Sequence, residues 1–150
     1  MGGCASGRKW YDIAPAMPRK PLGANDRIRV AVAGLNGRGN SHIGAYLGME
    51  NVEIAYLVDP DSRLFGPRVK NIEEKQGKAP AAVQDVRRAL EDQTLDAVSI
   101  ATPNHWHALA TIWACQAGKD VYVEKPASHN LLEGQRMVEA ARKYARIVQV

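Results

Sequence analysis

The sequence predicts an α/β fold, a doubly wound parallel sheet flanked by helices, and three observations predict it. From Arg27 onward, short strand-like runs alternate with stretches of helical periodicity. Strands alternating with helices imply a parallel sheet with right-handed crossovers. The first run passes straight into the glycine-rich segment Gly34-Leu35-Asn36-Gly37-Arg38-Gly39. A later one, residues 120–126, reads Asp-Val-Tyr-Val-Glu-Lys-Pro and stops in an acid, a base and a proline. Open parallel sheets bind their ligands beyond the carboxyl ends of the strands. A lysine fixed at such an end is therefore well placed for chemistry.

Residues 28–33 read as the first strand, and the glycine turn after them leads into a helix through Tyr46 and Leu47. Residues 52–58 form the second strand. A weaker third lies at 81–83, followed by a short helix with Val86 and Leu90. Residues 97–101 are the fourth strand and 106–116 the next helix, with Trp113 and Cys115 expected in the core. The fifth strand is 121–123. A long helix follows at 131–144, with Leu132, Met137, Val138 and Ala141 on one face, and 147–150 open a sixth strand. Two βαβαβ halves fit this length. The sixth strand has no helix after it, so a longer protein with a further domain is expected.

Residues 1–26 lack either periodicity and are broken by Gly2, Gly3, Gly7, Pro15, Pro18, Pro21 and Gly23, which reads as an extended or disordered arm before a domain at 27–150. Met1-Gly2 with Ser6 matches the loose acylation pattern, with Cys4 as a second site, but so short a pattern arises readily by chance. The arm holds no apolar segment of a secretory signal, so the default compartment is the cytoplasm, unless an export signal precedes it.

Hydrophobic residues make up 45% of the chain and charged residues 24%, the balance of a globular protein. No apolar run approaches the roughly 18 residues of a membrane span. The net charge of +4 does not indicate nucleic acid. Arg8, Lys9, Arg19, Lys20, Arg27 and Arg29, against Asp12 and Asp26, account for the whole excess, and residues 31–150 are neutral. The folded part has no basic surplus to hold phosphates of a polymer. The two cysteines form neither a disulfide framework nor a metal cluster.

The glycine segment follows the first strand and opens a helix, the context of the dinucleotide fingerprint G-x-G-x-x-G. Gly34 and Gly39 hold the outer positions, Asn36 replaces the middle glycine, and Gly37 stands beside it. Glycines permit the tight turn, the close approach of a pyrophosphate and close helix packing. Asparagine tolerates left-handed backbone, so Asn36 is expected to keep the turn while its side chain narrows the approach. The helix start, with Arg38, offers free N–H groups to phosphate. Asp59 ends the second strand twenty residues after Gly39, where an acid takes the adenosine ribose hydroxyls. A carboxylate there repels a 2′-phosphate, which favours NAD over NADP; Arg63, close in sequence, weakens that preference.

The fourth strand runs into Thr102-Pro103-Asn104-His105-Trp106-His107. Pro103 stops the strand and Asn104 or His105 can cap the next helix. A metal is a poor alternative, because His105 and His107 are two apart and lack a third ligand. Lys125, after Glu124 and before Pro126, can polarise a hydroxyl or carbonyl and assist proton movement if a partly dry cleft desolvates its amine. Glu124 orients or charge-balances it in one reading; a surface ion pair is the plain alternative. His129 and Asn130 are expected to cap the last helix. His42, in the first helix, can approach the cofactor or simply face solvent, and the second is expected.

Taken jointly, the glycine segment, Asp59, the Thr-Pro-Asn-His-Trp-His run and Glu-Lys-Pro resemble the N-terminal domain of the Gfo/Idh/MocA oxidoreductases, the glucose–fructose oxidoreductase and inositol dehydrogenase group, over Arg27 to Val150. The resemblance implies an NAD(P)-binding Rossmann domain followed by a C-terminal α/β domain that completes a sugar site and commonly pairs subunits. By the same resemblance Gly34, Gly37 and Gly39 line the pyrophosphate and Asp59 the adenosine ribose. Thr102, Pro103, Asn104 and His107 border the ribose and nicotinamide, Glu124 and Lys125 lie beside the nicotinamide and the reacting carbon, and Pro126 holds the turn. Lys125 is then the catalytic lysine of a sugar or polyol dehydrogenase. Relatives that cleave glycosides through transient oxidation by bound NAD offer one alternative, and a non-catalytic nucleotide-binding module another.

Overall fold

The computed structural model describes residues 27–150. The arm at 1–26, with the acylation pattern and Cys4, lies outside the described residues. Six parallel strands stand in the order β3-β2-β1-β4-β5-β6. They are β1 Ile28–Ala33, β2 Val52–Val58, β3 Ala81–Val83, β4 Ala97–Ile100, β5 Asp120–Val123 and β6 Val148–Gln149. The chain runs outward from β1 through β2 to β3, then returns to β4 on the other side of β1. This reversal is the switch point of a doubly wound sheet, where a crevice opens because successive helices leave to opposite faces.

The helices are α1 Arg38–Leu47, α2 Phe65–Gln76, α3 Val86–Leu90, α4 His107–Gln116 and α5 Leu131–Lys143. Two cores result. Val30, Val32, Ile54 and Leu57 meet Ile43 of α1 and Ile72 of α2 on one face. Ala31, Ala33, Val98, Ile100, Val121 and Val123 meet α3, α4 and α5 on the other. Strict alternation fails once, in β2: Val30 pairs with Ile54 but Ala31 with Tyr56. The extra residue, Ala55, is a bulge, and it puts Ala55 and Tyr56 both toward the second core. From there the strand is rephased, so that Val58 joins that core and the chain turns at Asp59.

One helix has no counterpart in the sequence reading. α2 carries Phe65, Val69 and Ile72 toward the sheet at helical spacing. Gly66 and Pro67 disguise it, but both fall in its first turn, where proline costs no intrahelical bond. A 3-10 turn, Ser62–Leu64, leads into it, with the Asp61 side chain accepting from the Arg63 N–H. Helix α5 starts as expected: the Asn130 side chain accepts from Glu133 N–H at 2.9 Å, and the Glu133 carboxylate accepts from His129 N–H at 2.9 Å, a reciprocal cap. Its buried face differs from the expected one. Met137 and Ala140 are buried, while Leu132 and Val138 are 60% and 49% exposed. The helix is turned so that α4, not a broad apolar stripe, decides which residues are covered. No helix among the described residues is long and apolar enough to cross a membrane.

The amino edge of the sheet is closed by polar groups. Asp92 accepts from the Arg29 guanidinium at 3.1 Å and from the Tyr56 hydroxyl at 3.2 Å. Lys119 is 3% exposed, and its ammonium donates to the Asp92 and Leu95 carbonyls at 2.7 and 2.9 Å. Burial pushes its pKa down, and the two carbonyls are what make its placement tolerable. In Lys119→Met those carbonyls lose their donor in a dry site. Unfolding in urea should then show a loss of about 1–3 kcal/mol; an unchanged midpoint would mean that water replaces the ammonium.

Candidate active site at the carboxyl edge of the sheet

The strand ends meet at one edge because the ladder continues past them. Gly34 N–H donates to Val58 O at 2.9 Å, Ala101 N–H to Ala33 O at 2.8 Å and Glu124 N–H to Ile100 O at 2.9 Å. The three turns singled out in the sequence therefore share one rim.

The glycine loop is built as its sequence requires, with one correction. Gly34 has φ +87°, and a Cβ there would lie 2.5 Å from the Ala101 carbonyl oxygen. Gly39 allows helix α1 to pass so close that a Cβ would stand 1.9 Å from Gly34 O. Left-handed backbone was expected of Asn36, but the positive φ values fall at Gly34 and Gly37 instead. Having glycine next to it relieves Asn36 of that task. Among the described residues no side chain caps α1, and its first turn holds no acid. Its leading N–H groups face a cleft of about 720 Å³, a size suited to a large ligand.

Gly34, Asn36, Gly37, Arg38, Asp59, Thr102 and Pro103 line this cleft. Gly39, Asn104, His107, Glu124, Lys125 and Pro126 do not. Asp59 is 8% exposed. One of its carboxylate oxygens accepts from Leu35 N–H at 2.8 Å and the other from Asp61 N–H at 2.9 Å. It thus braces the glycine loop, and each oxygen keeps a lone pair for a hydroxyl. Arg63 is held away from it by Asp61, whose oxygens accept from its Nε and Nη2, each at 2.8 Å; this ion pair holds Asp61 below its ordinary pKa.

The far wall was not foreseen. Arg87, Trp106 and Trp113 line the cleft with Pro60 and Gln84. Trp113, expected in the core, is half-buried with the Arg87 guanidinium 5.4 Å from its ring centroid and Trp106 6.3 Å away. The signal available was positional: Gln84 follows the third strand as Asp59 follows the second. Cys115 is fully buried as expected, and burial lifts its thiol to about 11.

His107 is 2% exposed, and its ring nitrogens face Pro126 O and Thr102 O, both at 2.7 Å. It ties the β4 and β5 turns together from beneath rather than reaching into the cleft. The Thr102 hydroxyl oxygen is buried without a hydrogen-bond partner among the described residues, an orphan on the cleft wall of the kind that a ligand satisfies. That orphan, the open start of α1 and the glycine cradle together fit a dinucleotide.

The Glu-Lys-Pro turn ends β5 with a cis Lys125–Pro126 peptide. Glu124 does not pair with the Lys125 ammonium. Its Oε1 accepts from Arg38 Nε at 2.8 Å and meets His42 Nε2 at 2.9 Å. These two hydrogen bonds, Arg38 first, hold its carboxyl at about 2. Lys125 itself is exposed, and among the described residues no carboxylate or carbonyl engages its ammonium. The dry surroundings expected for it are absent, because the side chain projects past the end of the sheet. His42, expected in solvent, is 7% exposed and forms part of this cluster.

The family described as oxidoreductases with an NAD-binding Rossmann fold matches residues 28–150. Among curated relatives, a glycosyl hydrolase family 109 protein of Shewanella pealeana is 26% identical, over 87% of this chain and 32% of its own length. An alpha-N-acetylgalactosaminidase of Shewanella oneidensis is 28% identical, over 77% of this chain and 26% of its own. Among solved structures, the WlbA dehydrogenase of Chromobacterium violaceum, in complex with NADH and UDP-GlcNAcA, superposes with a TM-score of 0.72 at 26% identity, covering 88% of this chain and 37% of that one. A myo-inositol 2-dehydrogenase of Lactobacillus plantarum shares the fold with a TM-score of 0.71 at 22% identity, over 83% of this chain and 36% of that one. The chain thus spans about a third of the length of the relatives it matches. From the match over residues 28–150, the chain belongs to the Gfo/Idh/MocA oxidoreductase family and carries its NAD-binding Rossmann domain.

Proposed function

We propose that the chain is the cofactor-binding part of an enzyme that oxidises a carbinol carbon of a sugar, a polyol or a related hydroxyl compound. The observation that carries this reading is the exposed Lys125 amine, which no carboxylate or carbonyl engages among the described residues, on the same rim as the glycine cradle. NAD bound there supplies the hydride acceptor. Gly34, Gly37 and Gly39 admit the pyrophosphate to the start of α1, with Arg38 beside it. Asp59 receives the adenosine ribose, and Thr102, Pro103 and Asn104 border the other half. His107 holds the two turns in place from below. Lys125, as the neutral amine, binds the substrate hydroxyl and takes its proton, becoming the ammonium, as the C–H bond gives up its hydride to the cofactor and the C–O bond becomes a carbonyl. Glu124, held ionised by Arg38 and His42, donates no proton at working pH. The substrate pocket and the pairing of subunits are assigned to a C-terminal α/β domain, as in the family.

A second reading is favoured by the curated relatives named as family 109 glycosyl hydrolases. In it the hydride is returned after a glycosidic bond has broken. The two readings part on product. With p-nitrophenyl N-acetyl-α-galactosaminide, the full-length protein would release nitrophenol without net NADH; with myo-inositol or a nucleotide-sugar uronate, a dehydrogenase would accumulate NADH.

Lys125→Ala in the full-length protein is expected to lower turnover by at least about a hundredfold while the Kd for NAD stays near that of wild type. Unchanged turnover would remove Lys125 from the chemistry. Asp59→Asn is expected to weaken NAD by roughly tenfold and to narrow its advantage over NADP in parallel titrations. An unaltered ratio of the two affinities would show that Asp59 braces the loop and does not select the cofactor.

A further inference from the structure

Helix α1 offers its start to the cleft and its interior to a second contact. His42 lies one turn into this helix, buried, with both ring nitrogens engaged. Nδ1 meets the Ser99 hydroxyl of β4 at 2.8 Å, and Nε2 meets Glu124 Oε1 at 2.9 Å. The Tyr122 ring of β5 stands edge-on, 5.4 Å between centroids. The imidazole therefore joins three elements beneath the rim. A carboxylate only accepts, so Nε2 carries the proton toward Glu124. The other Glu124 oxygen, Oε2, makes a long 3.4 Å contact with the Lys125 backbone N–H.

The Ser99–His42–Glu124 chain has the composition of a nucleophilic triad, but it cannot act as one. Ser99 is 1% exposed, inside β4, so no substrate reaches its oxygen. Nor is Arg38 an equal partner for Glu124. Its side chain is 62% exposed, against 7% for His42, and water competes for an exposed ion pair. Of the two groups that hold the carboxylate, His42 is the anchored one.

We propose that His42 is a positioning residue that acts through Glu124, docking the Glu-Lys-Pro turn onto the phosphate-loop helix and so fixing where the nicotinamide half of NAD lies relative to Lys125. The proposal rests on the cofactor and Lys125 assignments above. It explains a histidine at this place, since an apolar residue would fill the space but leave the Ser99 hydroxyl without this partner and Glu124 with only the exposed Arg38. It also predicts a split between the two halves of the cofactor. The adenosine and pyrophosphate contacts are assigned mainly to Gly34, Gly37 and Asp59, placed by the β1 and β2 exits, with Arg38 and Gly39 the two that share α1 with His42.

The test uses this chain, residues 1–150, titrated calorimetrically with NAD and with ADP-ribose, which lacks the nicotinamide. In His42→Ala the Kd for NAD should rise roughly tenfold, the worth of about one hydrogen bond to a charged group, while that for ADP-ribose moves less than about twofold. His42→Gln, whose amide N–H can reach toward Glu124, should recover most of the loss, and Ser99→Ala should show a smaller loss of the same kind. In ¹⁵N correlation spectra of the unliganded variants, the Lys125 amide should shift and the Gly34 amide should not. A His42→Ala variant that weakens both ligands equally, or neither, or a His42→Gln variant that is no better than His42→Ala, would reduce His42 to packing. Wild-type chain that binds neither ligand would instead overturn the cofactor assignment, and the proposal with it.

Discussion

The backbone contact between the exits of β1 and β4 constrains everything at the rim. Gly34 passes so near Ala101 that a methyl group would overlap its carbonyl oxygen. This contact lies at the switch point, where the chain leaves β1 toward one face and β4 toward the other. Because the two exits nearly touch, the crevice between their helices is narrow at its base and open above. A ligand entering it meets backbone rather than side chain, which suits a pyrophosphate. Gly39 meets the same demand a turn later, where α1 returns across Gly34. Substitution at either glycine would push α1 off the sheet, and with it Arg38 and His42.

Helix α1 thereby ties two parts of the site that are far apart in sequence. Its start has no capping side chain among the described residues and faces the cleft. Its buried side reaches across β4 to Glu124, at the end of β5. One helix thus joins the glycine loop to the Glu124–Pro126 turn. His107 makes the matching connection on the opposite face, between the β4 and β5 turns. Lys125 stands at the end of a strand held on both sides, and among the described residues no carboxylate or carbonyl engages its amine. Rigid support of this kind suits the reacting role proposed for Lys125, since misplacement by about 1 Å can cost roughly a hundredfold in rate.

The parts of this arrangement that were legible in the sequence are local ones. The strands carry β-branched residues bounded by glycine, proline or charge, and the glycine loop is defined by steric demands within six residues. What escaped depends on partners distant in sequence. Nothing near His42 announces Ser99 and Glu124, which lie 57 and 82 residues away. A histidine among Ser41, Gly44 and Asn40 looks like a solvent residue until the strands it covers are known. Glu124 seemed the natural companion of Lys125 because they are adjacent. Successive residues at a strand end point to opposite sides, however, and Glu124 turns under the sheet edge to α1 while Lys125 turns outward. Trp113 looked like core by its apolar neighbours in α4; its position beside the α3 start, where Arg87 lies over it, opens it to the cleft. Helix α2 was hidden by local punctuation whose effect vanishes in a first turn.

The two proposed outcomes, net oxidation and glycoside cleavage, draw on the same residues for the same step. Each begins with a proton leaving an oxygen held by Lys125 and a hydride leaving the carbon beside it. The resulting carbonyl would make a neighbouring C–H acidic, so that a base could take its proton while a leaving group one carbon further on departs with a proton of its own, and water could then add where it left. If the hydride then returns, the cofactor is regenerated in place. Such a cycle needs NAD to stay bound, and a net dehydrogenase needs it to leave. The demand that separates the two therefore falls on cofactor retention, which in the proposed site would rest on Asp59 and on Trp106 and Trp113 of the cleft wall, with the His42–Glu124 tie behind them. Tightening or loosening these contacts would shift one architecture between the two uses without altering its lysine.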